Sequence, residues 1–354
     1  MKLVVPASWS KLYHMQVLDF GYFKQVVFPS CEGLINLRHV VFIIDVDIPS
    51  IGRLTSLRTM TAFNVRKEPG YELKQLGNLN KLRGELRIRG LGKVESKAES
   101  LEANLADKEG LTTLLLSWRS DGASPEVEAE VLEGLCPPKD LTSLTISNYK
   151  GQRYPSWMHD GGPKHVNHLM LDKCSLKPGP ELGRFCAHLR KLIIWCCSWD
   201  ALPDYMEQLT SLQGLEISHC MNIRSLPALP QSLENFELTS CDEVSMSLCC
   251  MEHLTSLQRL EISYCKKILS LPVLPQSIKN FKLSTENEVL ASSCKTAGDP
   301  DWQKIKHIPY VSIVEHFLPF MHCPEYIALR VELPAEFLKS VGLDLNVVPV
   351  HFSR

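Results

Sequence analysis

Residues 209–230 read LTSLQGLEISHCMNIRSLPALP and residues 254–275 read LTSLQRLEISYCKKILSLPVLP, so 16 of 22 positions recur at an offset of 45 residues. They differ only at Gly214, His219, Met221, Asn222, Arg224 and Ala228 and at the counterparts of these residues. A chain that repeats itself at a fixed period builds neighbouring copies of one structural unit, which restricts the fold more than any single motif does. In Leu212-Gln-Gly-Leu215-Glu-Ile217-Ser-His-Cys220 the apolar residues stand at positions 1, 4, 6 and 9 of the unit. The spacing returns at Leu257/Leu260/Ile262/Cys265, Leu233/Phe236/Leu238/Cys241, Leu189/Leu192/Ile194/Cys197 and Val166/Leu169/Leu171/Cys174. Weaker copies centre on Leu18, Val40, Met60, Leu86, Leu114, Leu144 and Phe281. Together they make about 12 units of 20–30 residues.

This is the leucine-rich-repeat signature, and its alternation explains the architecture it implies. Positions 4 and 6 are apolar with varied residues between them, the pattern of a strand with one buried face. The cysteine at position 9 sits where the chain turns inward and reads as a small buried hydrophobe with a weak S–H donor. Behind the strands, SLPALP (225–230) and SLPVLP (270–275) carry two prolines in six residues and predict extended or 3-10 arms. Ala98, Leu101 and Leu105 share one helix face, as do Val127, Val131 and Leu135, so other arms read as helical. The expected fold is an α/β leucine-rich-repeat solenoid over residues 1–313, with a concave parallel β-sheet and helical or irregular convex arms. One unit buries about five apolar side chains worth ~1.5–3 kcal/mol each. Ordering its residues costs ~1–2 kcal/mol apiece, so an isolated unit is unstable and stacking is obligatory.

Composition narrows the function classes. The chain is 44% hydrophobic with a net charge of −2, values of a folded protein rather than a disordered one. No apolar run reaches the ~18 residues that span a bilayer, and Lys11 interrupts the opening residues as a signal peptide. Thirteen cysteines, an odd number, and no Asn-x-Ser/Thr sequon predict a reducing, cytoplasmic setting. Residues 1–100 carry 15 Lys/Arg against 9 Asp/Glu, a balance of +6, leaving −8 for the remainder. That asymmetry predicts a docking surface in the early repeats but falls short of a nucleic-acid binder.

Several blocks are more specific than a generic repeat: IPSIGRLTSLRTMTAFNV (48–65), LGNLNKLRGELRIRGLGKVESKAESLEANLADKEGLTTLLLSW (76–118), EVLEGLCPPKDLTSLTISNYKGQRYPSWM (130–158) and CKTAGDPDWQKIKHIPYVSI (294–313). In this order they resemble the leucine-rich-repeat half of plant intracellular immune receptors of the coiled-coil NB-ARC type, the grass disease-resistance proteins. The resemblance covers about residues 8–313. It implies a concave face that recognises a pathogen effector or a guarded host protein. It also implies early repeats that fold back on the NB-ARC nucleotide-binding module, in cis or in trans, and hold it inactive. The phosphate-cradling G-x-x-x-x-G-K-[ST] loop of such receptors is absent from these 354 residues, so no cofactor is expected. Met158-His159-Asp160 spells a tripeptide that family members use beside their nucleotide, but here it follows YPSW inside a repeat arm. Residues 314–354 match neither repeat nor family and are expected to form a separate tail. A second reading, a substrate-recognition solenoid of a ubiquitin ligase, needs an F-box-like helical module ahead of the repeats, and residues 1–14 are too short for one.

No nucleophile–base or metal constellation emerges. His165 and His168 lie three apart and point to opposite sides of a strand. The expected role is therefore binding, not catalysis. Positions 2, 3, 5, 7 and 8 project from the concave sheet. They give Asn167, His168, Met170, Asp172 and Lys173; Arg190, Lys191 and Trp195; Gln213, Glu216 and His219; and Gln258, Arg259, Glu261 and Tyr264 as partner contacts. Trp195 and Tyr264 are of the types enriched at interface hot spots. Arg38 and Arg58 hold the same position in neighbouring units, and Arg87 and Arg89 alternate with Leu86 and Ile88 in the next. These four arginines form the candidate intramolecular docking patch.

Overall fold

The computed structural model describes residues 2–4, 6–19, 25–28, 30–41, 46–118, 123–245 and 251–315. The expected tail lies outside the described residues beyond residue 315. From Arg83 onward each repeat contributes one short strand, and consecutive strands pair in parallel in chain order. One sheet of 11 strands comprises Ala62–Asn64, Arg83–Arg89, Gly110–Ser117, Ser143–Ser147, His168–Asp172, Lys191–Trp195, Gly214–Ser218, Asn235–Thr239, Arg259–Ser263, Asn280–Thr285 and Tyr310–Glu315. A three-stranded sheet, Val17–Asp19, His39–Val41 and Thr59–Met60, carries the first repeats. The leucine-rich-repeat solenoid is therefore the fold of this chain.

The register explains why the spacing recurs. Leu144, Leu169, Leu192, Leu215, Phe236, Leu260 and Phe281 stand side by side at position 4. Ile146, Leu171, Ile194, Ile217, Leu238, Ile262 and Leu283 do so at position 6. All are buried in one continuous core. Position 8 adopts left-handed backbone in six successive repeats, with φ of 49–57° at Asn148, Lys173, Cys196, His219, Ser240 and Tyr264. That turn aims each position-8 amide at the position-7 carbonyl of the following repeat, at 2.7–2.8 Å. It also drives position 9 inward. The thiols of Cys174, Cys197, Cys220, Cys241 and Cys265 lie 3.1–3.9 Å from the position-6 carbonyl of the preceding repeat, at Ile146, Leu171, Ile194, Ile217 and Leu238. Tyr149 takes position 9 where a cysteine is missing, packing edge-on against Trp118 at 5.0 Å between ring centroids.

The convex side departs from expectation in two places. In the first repeats it holds a parallel sheet, Lys2–Val4, Gln25–Val27 and Val46–Asp47, where helical or irregular arms were expected. The expected helix face of Ala98, Leu101 and Leu105 is interrupted. The helix Lys97–Leu101, capped by Ser96, makes a single turn, Asn104 turns left-handed at φ 47°, and Leu105 opens a separate 3-10 turn. Leu101 is consequently 55% exposed while Leu105 is buried. The second expected helix forms as Pro125–Gly134, with Ser124 as N-cap and Pro125 in its first turn. It crosses the first so closely that a Cβ on Gly134 would sit 1.9 Å from the Ser100 hydroxyl. The proline arms 225–230 and 270–275 form neither helix nor strand. Aromatic donors staple arms together: Trp157 Nε1 donates to the Leu132 carbonyl at 2.9 Å and Tyr205 Oη to that of Gly179 at 2.7 Å.

One core residue breaks the apolar pattern. Leu34, Leu54, Leu79, Leu209 and Leu254 each lie three residues ahead of position 1, buried, with the carbonyl accepting the position-1 amide. The fifth repeat, centred on Leu114, has Lys108 in that slot, wholly buried, its Nζ donating to Asn80 Oδ1 at 3.3 Å. Burial pushes the Lys108 ammonium down from 10.5 to about 8, slightly offset by Asp107. Because the folded value lies below the unfolded one, the native state loses its proton first, and stability rises between pH 8 and 10.5. Lys108→Leu should raise unfolding stability at pH 7 by roughly 2–3 kcal/mol. It should also abolish that alkaline rise, as read from denaturant midpoints at pH 7 and at about pH 10.

Candidate protein-recognition face

The open face of the large sheet is built from positions 3, 5 and 7, which alternate with the buried spine. Position 5 forms a row in register: Leu115, Thr145, Met170, Ile193, Glu216, Glu237, Glu261 and Lys282. The row changes from apolar to acidic between Ile193 and Glu216. Position 3 brings His168, Lys191 and Arg259 to the face, all exposed. Position 7 places Asp172 beside Trp195 on the adjoining strand, both half-buried. Trp195 stacks on His219 of the next repeat, ring centroids 5.0 Å apart and planes 22° from parallel. Partial desolvation against the sheet, reinforced by Lys191 and Arg190, lowers the pKa of His168, which favours a neutral imidazole.

Placement qualifies several of the expected contacts. Asn167, Arg190, Gln213 and Gln258 at position 2 precede the strands, but their carbonyls still accept amides of the following repeat. Lys173, His219 and Tyr264 at position 8 lie past the strand ends, on the left-handed turn, and so rim the sheet instead of standing on it. Glu261 is only 8% exposed because Lys282 Nζ at 2.6 Å and Arg259 at 3.3 Å close over its carboxylate. Those partners outweigh its burial and hold its pKa down. Glu216 faces Lys191 Nζ at 3.9 Å. Glu237 projects from the same face at position 5, between Glu216 and Glu261. Among the described residues its carboxylate has no hydrogen bond or ion pair.

The basic patch forms differently from the expected one. Backbone bonds at 2.7 and 2.8 Å link Arg58 to Arg38 and Arg83 to Arg58, so these three stand in one column at position 2. His39 lies beside them with Nδ1 2.9 Å from Thr59 Oγ1, and burial together with the field of Arg83, Arg58 and Arg38 lowers its pKa. Arg83 escaped the spacing argument because Leu82 and Leu86 stand four residues apart instead of three, with a register shift between Gly84 and Glu85 where Gly84 is at φ 77°. Arg87 does not join the column: it stands at position 5 and pairs with Glu85 on its own strand. Arg89 lies two residues farther along that strand.

Burial, then the flanking carboxylates of Glu216 and Glu261, push the Glu237 carboxyl above its ordinary range. A raised folded pKa means stability present at low pH and lost as pH rises through it. Glu237→Gln should therefore stabilise the chain at pH 7 by about 0.5 kcal/mol, with the gain vanishing near pH 4. Paired urea titrations at the two pH values check this.

Among the described residues no helix is long and apolar enough to cross a membrane. Residues 73–197 match the family described as R13L1/DRL21 LRRs. The RGA1 disease resistance protein of Solanum bulbocastanum is 35% identical over 175 residues, covering 42% of this chain and 18% of that protein. RGA2 of the same species is 37% identical over 134 residues, covering 36% and 14%. The disease resistance RPP13-like protein 1 of Arabidopsis thaliana is 34% identical over 134 residues, covering 35% and 13%. The chain thus spans less than a fifth of the length of these relatives. Among solved structures, the leucine-rich repeat domain of the type III effector XopL covers 62% of this chain and 75% of its own, at 20% identity and a TM-score of 0.43. The chain is a leucine-rich-repeat solenoid whose relatives among curated proteins are plant disease-resistance proteins.

Proposed function

We propose that this chain is the recognition and autoinhibitory repeat region of a plant disease-resistance receptor of the coiled-coil NB-ARC type. It works in the cytoplasm by binding and not by catalysis. Its open face takes a protein, either a pathogen effector or a guarded host protein, and the arginine column of the early repeats docks the NB-ARC module. The observation that carries this reading is the open face itself: a rigid in-register sheet whose position-5 row runs from Met170 and Ile193 to three glutamates beside the Trp195–His219 stack. Side chains held by packed strands lose little further freedom on binding, which favours affinity. A partner can bias such a receptor only by binding its active and inactive states unequally.

A panel of pathogen effectors screened against the chain by split luciferase tests the first half. A binder should lose about tenfold or more in affinity with Trp195→Ala, and nothing with Glu126→Ala, exposed on the arm helix Pro125–Gly134. Binders sensitive only to the arm substitution would refute the assignment. For the second half, Arg38→Glu, Arg58→Glu and Arg83→Glu together should weaken binding of a separately supplied NB-ARC module by about tenfold or more at low salt. Arg87, already paired with Glu85, should contribute less. An unchanged affinity in the triple variant would contradict the docking role.

A further inference from the structure

The acidic stretch of the open face is unevenly neutralised. Glu216, Glu237 and Glu261 face the same way from three adjacent strands, at the ~4.8 Å spacing of a sheet, where like charges repel. The chain supplies cations to the outer two: Lys191 to Glu216, and Lys282 with Arg259 to Glu261. The middle carboxylate is left without a partner among the described residues, and its strand neighbours on the same face, Asn235 and Thr239, are neutral. A half-buried carboxylate that Arg259 and Lys282 offset only at a distance, without bonding it, costs stability in the isolated chain. The same group becomes a strong contact once a cation is delivered to it, because charge-assisted hydrogen bonds exceed neutral ones. Two strands away, about 10 Å across the sheet, Ile193 continues the apolar row of Met170, with the Trp195–His219 plate alongside.

Resting on the recognition role proposed for this face, we propose that its partner is a protein surface bearing a lysine or arginine beside an aliphatic or aromatic side chain. The cation sits on Glu237 between Glu216 and Glu261, and the apolar group covers Met170 and Ile193.

The test uses a random peptide library displayed on phage and selected on the full chain, with recovered peptides titrated against the chain, Glu237→Gln and Trp195→Ala. Glu237→Gln keeps shape and polarity and removes only the charge. Selected peptides should share a Lys or Arg next to an apolar residue. They should weaken about tenfold with Glu237→Gln, and the variant should lose salt dependence. Peptides lacking a cation, lost with Trp195→Ala but indifferent to Glu237→Gln, would overturn this proposal while leaving the recognition face intact. Peptides indifferent to both substitutions would overturn the recognition face and this proposal together.

Discussion

Stability in this chain depends on each repeat being completed by its neighbours. The left-handed turn at position 8 places one amide on the carbonyl of the repeat ahead, and the thiol at position 9 reaches the carbonyl of the repeat behind. Between these links the position-4 and position-6 side chains stack in register and close the core from both sides. A left-handed residue other than glycine costs about 1–2 kcal/mol. Here the cost recurs six times and is offset by the forward hydrogen bond and by burial of the residue that follows. Gly90 occupies the same position earlier, at φ 76°, where a Cβ would meet the Val65 carbonyl at 2.7 Å.

That dependence makes the strands rigid and leaves the residues between spine positions free to vary. The open face accordingly carries its chemistry as rows across strands: a repeat supplies one residue to each row, so single substitutions recolour the face without touching the core. The twin segments that begin at Leu209 and Leu254 show this at position 3, where Gly214 in one is Arg259 in the other, and Arg259 becomes a clamp on Glu261. The arginine column of the early repeats arises in the same way from position 2. Electrostatic opposition between the two regions follows from which letters occupy a few free positions, with the backbone unchanged.

What the sequence made legible was the periodic part. Spacing alone identified the strands, their buried partners at positions 4 and 6, and the cysteine ladder, because all three obey one period and one physical requirement. It failed where a local feature broke the count. The register shift at Gly84 displaced Arg83 from the expected frame, and the left-handed turn moved Lys173, His219 and Tyr264 off the sheet plane. Lys108 was passed over because nothing in Ala-Asp-Lys-Glu-Gly marks a lysine as filling a leucine slot until neighbouring repeats are superposed. The short strand Tyr310–Glu315 was missed since its last spine residue, Ile313, lies at the edge of the recognisable repeats. Spacing also put Glu237 on the open face, but that it stands unbonded between two paired carboxylates emerged only from the register.

Native-state hydrogen exchange tests the central claim most directly. If every repeat is completed by the next, amides at positions 3–8 of the strands from Arg83–Arg89 to Asn280–Thr285 exchange slowest and as a contiguous group. The position-8 amides of Lys173, Cys196 and His219 should be as protected as the strands themselves, and the arm segments 225–230 and 270–275 should exchange faster. Rapid exchange at the position-8 amides, or protection confined to isolated repeats, would contradict the account.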